Sequence, residues 1–264
     1  MRTLRAIVAY DGTDFAGWQR QATDRTVQAA IEDALAPFEG RRVVVIGAGR
    51  TDAGVHAAGQ VASFSLTAAI RAGELQRALN ATLPPDVRVL RLDEAADAFN
   101  AQFDARCKTY RYWLWSEGVL PPQLRRYMWH VPQRLDPDVM TAAAASLIGA
   151  HDFAAFQASG SDVITTVREV SVSQVTALEP ASAAGSLWPA ETPGPAASGG
   201  AILYEITASG FLRHMVRNIV GTLVDIGRGR RATDEIGSIM ASRDRAQASA
   251  TAPPHGLTLW KVEY

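Results

Sequence analysis

Apolar and polar positions alternate along Leu4–Tyr10, which predicts an opening strand. Val27, Ile31 and Leu35 then recur at four-residue spacing with Ala30 and Ala34 beside them, an amphipathic helix expected to stop at Pro37. Strands are predicted over Arg42–Ile46 and Gln60–Leu66, a helix from about Glu74 to Leu83 ended by Pro84-Pro85, and a strand over Val87–Leu92. Lys108–Trp115 is the most strand-like run, aromatic throughout. Further on, the pattern gives a helix over Asp136–Leu147 and strands over Val167–Val175 and Ala201–Ala208. Phe211, Met215, Ile219 and Leu223 form one apolar line, predicting a helix over Phe211–Ile226. A shorter helix over Asp234–Met240 and a strand over Leu257–Val262 close the chain.

This order of strands and helices predicts an α+β fold with a largely antiparallel sheet. A junction is expected near Glu117–Pro122, giving an N-terminal α/β half over 1–117 and a C-terminal α/β half over 118–264. Leu178–Gly200 is rich in Pro, Ala, Gly and Ser, a composition that cannot bury a core, and is expected to be a flexible insertion in a hairpin.

Between two predicted strands lies Gly47-Ala-Gly49-Arg50-Thr51-Asp52-Ala53-Gly54-Val55-His56, preceded by four β-branched residues, Val43 to Ile46. Strand followed by Gly-x-Gly resembles the start of a dinucleotide-binding turn, but that turn needs a third glycine where Asp52 stands. A carboxylate there would meet a pyrophosphate head on, and the following residues alternate like a strand. The stretch instead reads as a glycine-punctuated loop carrying a guanidinium and a carboxylate two residues apart. A loop aspartate taken alone is most simply an Asx-type turn residue. A loop held between strands is also where chemistry concentrates.

Five ordered segments carry a resemblance that runs the length of the chain. Gly49–Ala57 resembles the catalytic loop of the tRNA pseudouridine synthase A family, Ala9–Gln21 its opening strand and loop, Phe103–Tyr112 its second motif and Gly210–Gly221 its third. Ala252–Leu257 resembles the closing loop and strand. Arg213 departs from the pattern, standing where an aromatic residue is more usual. The resemblance implies a pseudouridine synthase fold: two comparable α/β halves sharing a central sheet, helices on one side and a cleft between the halves.

It also implies the chemistry. Uridine becomes pseudouridine when its C–N glycosidic bond is cleaved and the base is reattached through carbon. By resemblance Asp52 is the nucleophile; attack on the sugar C1′, attack on C6 of the base and abstraction of a sugar proton are the open forms of its role. Tyr110 is implied to stack on the flipped base or to act as general base, and Arg217 to form an ion pair with Asp52. Burial alone raises a carboxyl pKa and a close arginine lowers it again, so such a site needs a guanidinium partner; Arg50 is the local candidate. Substrate contacts are expected from Arg50, Tyr110, His56, Arg20, His214 and Leu257, with packing the simpler reading of His56 and His214 taken from the residues alone. The implied substrate is uridine in the tRNA anticodon stem-loop, at tRNA positions 38, 39 and 40, with a homodimer as the acting species.

Composition adds limits. The 264 residues are 47% hydrophobic and 20% charged, ordinary for a globular protein. No apolar run is long enough to span a bilayer, no signal-peptide pattern opens the chain, and Cys107 is the only cysteine, so a cytoplasmic protein without a disulfide is expected. A net charge of −1 argues against indiscriminate nucleic-acid binding and leaves a specific RNA partner open. Positive charge is carried almost wholly by arginine, Lys108 and Lys261 being the only lysines, and a guanidinium fork suits phosphates. No histidine pair has zinc-site spacing, and isomerisation is redox neutral, so neither metal nor cofactor is expected. The competing functional class is a non-catalytic RNA-binding protein on the same fold.

Overall fold

The computed structural model describes residues 1–160, 163–178 and 200–264. Along the chain it runs β1 (Arg2–Tyr10), α1 (Val27–Glu39), β2 (Ile46–Gly47), β3 (His56–Leu66), α2 (Ala72–Thr82), β4 (Val87–Glu94), β5 (Cys107–Ser116), β6 (Trp129–Val131), α3 (Pro137–Ala145), β7 (Gly149–Asp152), β8 (Val167–Leu178), β9 (Gly200–Ala208), α4 (Met215–Gly227), α5 (Glu235–Ser242) and β10 (Leu257–Glu263). The class is α+β, and most strand pairs are antiparallel. The stretch from 179 to 199, which holds the expected insertion, lies outside the described residues.

The chain divides into two compact units, Met1–Lys108 with Thr258–Tyr264, and Thr109–Leu257. In the first unit the strand order is β4-β1-β3-β10, with β2 also on β3. β1 pairs antiparallel with β3 from Arg2↔Leu66 to Tyr10↔Ala57, and β10 pairs parallel with β3 at Thr258↔His56. Alternation in β1 buries Leu4, Ala6, Val8 and Tyr10 on one face, as its period-two pattern requires.

Helix α1 begins where Thr26 accepts from the Ala29 amide and buries Val27, Ile31 and Leu35. It does not stop at Pro37. A proline in the last turn forfeits one hydrogen bond only, and the helix ends at Gly40, whose φ of 70° and amide bond to Ala36 form the cap. The expected strand Arg42–Ile46 is also corrected, because only Ile46–Gly47 joins the ladder. Val43 and Val45 are buried and Val44 exposed, so the alternation is real. The partners, however, are side chains of α1: Gln28 Nε2 donates to the Val45 carbonyl at 2.8 Å, and the Val45 amide donates to Glu32 at 3.2 Å.

The second unit orders its strands β5-β9-β8-β7, with β6 parallel to β5. Asp136 caps α3 by accepting from the amides of Asp138 and Val139. Short strands β6 and β7 fell in stretches with no strand period. The predicted helix over Phe211–Ile226 starts four residues late, at Met215, because His214 takes a left-handed φ of 59°. The apolar line still runs through Phe211, but its first member packs from a turn.

Candidate active site

The first unit holds the Asp52 loop between two grips. From one side β3 takes its entry: the Ala48 amide donates to the Val61 carbonyl at 2.8 Å, and Gln60 Nε2 donates to the Gly49 carbonyl at 2.8 Å. From the other side the loop after β1 takes its middle and exit. The Trp18 amide donates to the Thr51 carbonyl at 3.0 Å, the Gly54 amide to the Phe15 carbonyl at 3.2 Å, and the Tyr10 hydroxyl lies 2.8 Å from Thr51 Oγ1. Two glycines make this approach possible. A Cβ on Gly12 would lie 2.0 Å from the Val55 carbonyl oxygen, and one on Gly17, at φ +106°, would lie 2.6 Å from the Thr51 carbonyl oxygen. Asp52 is half-buried, and its own carbonyl accepts from the Val55 amide at 3.2 Å.

Around it, His56 is buried, and its Nδ1 accepts from the Gly12 amide at 3.0 Å. Asp11 Oδ1 lies 3.2 Å from the same nitrogen. Arg50 is exposed. Arg20 is turned toward α1, where Nε donates to Glu32 at 2.6 Å and Nη2 reaches Asp33 and the Ala29 carbonyl. Lys108 brings a further cation to the loop, its ammonium standing 3.4 Å from where a Gly49 Cβ would be.

The second unit gathers the other motif residues. Tyr110, on β5, is buried, and Phe211 meets it edge-on with ring centroids 4.9 Å apart. Two residues on and on the same face, Tyr112 donates its hydroxyl to the Pro253 carbonyl at 2.7 Å and packs against Gly256, where a Cβ would sit 2.6 Å from the ring. Burial drives the Tyr112 phenol above its ordinary pKa, against a smaller opposing pull from Arg217. Arg217, in the first turn of α4, donates Nε to the Ala252 carbonyl at 2.8 Å. His214 is half-buried at the start of α4, and Leu257 is buried where β10 begins. Arg213, the departure from the family pattern, is exposed and donates to the Ser159 carbonyl at 3.0 Å.

What the pieces supply is an aspartate on a backbone held at both shoulders, an aromatic ring braced by another, and an arginine whose plane is fixed through Nε. Tyr10, Gln60 and Lys108 went unassigned in the sequence. Their strand periodicity was visible, but no periodicity says which loop a strand residue touches. Gly12 and Gly17, set against a loop about forty positions away, were the available signal. Among the described residues no group of three or more His, Cys, Asp or Glu could hold a metal ion, and no helix is long and apolar enough to cross a membrane.

The family described as tRNA pseudouridine synthase matches residues 6–104 and 143–264. The chain is 46% identical to tRNA pseudouridine synthase A of Nitratidesulfovibrio vulgaris (strain DSM 19637 / Miyazaki F), over all of both chains. It is 42% identical to tRNA pseudouridine synthase A of Moorella thermoacetica and 40% identical to that of Thermoanaerobacter sp. (strain X514), again over the whole of each chain. The protein therefore belongs to the tRNA pseudouridine synthase family of isomerases.

Proposed function

We propose that this protein converts uridine to pseudouridine in the anticodon stem-loop of tRNA, at tRNA positions 38, 39 and 40, with Asp52 as its nucleophile. The observation that carries the reading is the grip on the Asp52 loop from β3 and from the loop after β1, which spends two glycines and a buried tyrosine on holding one short turn. A turn that merely connected strands would not need it.

In this reading the N1–C1′ bond breaks, a C5–C1′ bond forms, and a proton leaves C5 while one is gained at N1. Atoms and electrons balance without a co-reactant. Tyr110 stacks on the base, a contact worth about 1–3 kcal/mol, and so offsets part of the few kcal/mol that extruding a nucleotide costs. Arg217 pairs with Asp52, its Nε bond to Ala252 setting the plane from which the guanidinium meets a carboxylate. Arg50, exposed beside the catalytic turn, and His56 and His214 serve as contacts to the RNA; Arg20 serves through its hold on α1. The enzyme acts as a cytoplasmic homodimer.

Incubation with unmodified tRNA transcripts, followed by mapping of carbodiimide-resistant adducts, tests this. Adducts at the three anticodon-arm uridines are expected. Binding of tRNA with no adduct would point to the non-catalytic RNA-binding class, and adducts elsewhere would overturn the assigned positions.

A further inference from the structure

Two enclosed side chains hold the Asp52 loop without belonging to it. Tyr10 ends β1 at 4% exposure, and Gln60 lies in β3 with no exposed surface. Gln60 Nε2 donates to the Gly49 carbonyl at 2.8 Å, and the same carboxamide interacts with the Tyr10 phenol. The Tyr10 hydroxyl in turn lies 2.8 Å from Thr51 Oγ1. The pair thus reaches the residue three before Asp52 and the residue immediately before it.

Packing does not account for these residue types. Phenylalanine and leucine would fill similar volume without burying a hydroxyl or an amide, whose desolvation is costly unless fully compensated. Compensation here is incomplete, because Gln60 Oε1 is buried with no hydrogen-bond partner among the described residues. Turning the amide over would set that oxygen against the Gly49 carbonyl, so the observed orientation is fixed by the loop bond. A buried polar group kept at a cost to stability, with a 2.8 Å bond spent on the turn that carries Asp52, is what orientation of a reacting group requires. Tyr10 suits the same task, since burial pushes its pKa up to about 12 and keeps the phenol neutral.

We propose that Tyr10 and Gln60 are positioning residues that fix the approach of the Asp52 carboxylate by holding the Gly49 carbonyl and the Thr51 hydroxyl. The inference rests on the reading of Asp52 as the reacting group. It assigns a direct role in the reaction to neither side chain.

The test is a double-substitution cycle in the full-length enzyme on tRNA transcript, with Asp52→Asn assayed beside it. Tyr10→Phe and Thr51→Val should each lower kcat by about ten- to a hundredfold, the scale of a misplacement of an ångström or less, with KM for tRNA within about twofold. The double variant should be no slower than the slower single, because both remove one bond. Thr51→Ser, which keeps the hydroxyl, should recover the parental rate. Gln60→Leu should behave like Tyr10→Phe; if it does not fold, the cycle at Tyr10 and Thr51 decides. Parental kcat in Tyr10→Phe with only a lower Tm would make the phenol a packing residue and overturn the proposal, as would additive losses. An active Asp52→Asn would instead remove the reading on which it rests.

Discussion

Arg217 and Ala252 are joined twice. The Ala252 amide donates to the Arg217 carbonyl at 3.1 Å, and Arg217 Nε donates back to the Ala252 carbonyl at 2.8 Å. A helix side chain and a distant loop thus set each other's position. Nearby, Asn218 accepts from Thr251 Oγ1 at 2.7 Å and from Arg245 at 3.0 Å, and it donates to the Phe156 carbonyl at 2.7 Å. A fully buried amide satisfied on both ends holds the loop from a second side.

This close approach requires Gly221. A Cβ there would lie 1.9 Å from the Ala250 carbonyl oxygen, which is backbone and cannot swing away. Gly221→Ala should therefore destabilise the protein by roughly 1–3 kcal/mol through overpacking, despite alanine's better helix propensity. Urea unfolding measures the loss. Activity should fall further than stability alone explains, since the loop carrying Ala252 must move. A variant as stable and as active as the parent would mean that the loop yields freely.

Buried phenols give the protein an alkaline limit. Tyr10 is pushed up to about 12, and Tyr112, Tyr204 and Tyr264 are also raised by burial. A raised folded-state pKa contributes stability that is fully present below the unfolded value of about 10 and is lost as pH climbs through the folded value. Stability should fall above about pH 10, and these four tyrosines should ionise together with unfolding in a titration of phenolate absorbance. Ionisation of all six tyrosines near their ordinary pKa in a folded protein would contradict this.

Substitution at Tyr110 separates ring from hydroxyl. Tyr110→Phe keeps the face braced by Phe211 and should leave the tRNA Kd within a few-fold, whereas kcat falls if the hydroxyl acts as a general base. Tyr110→Ala should cost a further 1–3 kcal/mol or so in binding. Binding by gel shift and single-turnover rates resolve the two. An unchanged rate in Tyr110→Phe would confine the residue to stacking.

Much of the fold could be read from periodicity, and its failures have local causes. Val43–Ile46 has strand chemistry, yet Gln28 and Glu32 of α1 satisfy Val45 where a ladder was expected. Pro37 breaks a helix in its interior but not in its last turn. Phe211 continues the apolar spacing of α4 from outside it, because His214 turns the backbone. The Asp52 loop was legible because its glycines, arginine and aspartate fall in one string. Tyr10, Gln60 and the Ala252 clamp were not, since each acts across a long stretch of chain and leaves no period behind. Arg20 could be seen as a cation, but its engagement by Glu32 and Asp33 depends on how α1 lies.

The proposed chemistry turns on the carboxylate at position 52. Its most direct test is the rate of pseudouridine formation on tRNA transcript by Asp52→Asn, measured in single turnover beside tRNA binding. Loss of detectable product with Kd within several-fold of the parent is the expected result. Product formed at the parental rate would contradict the mechanism.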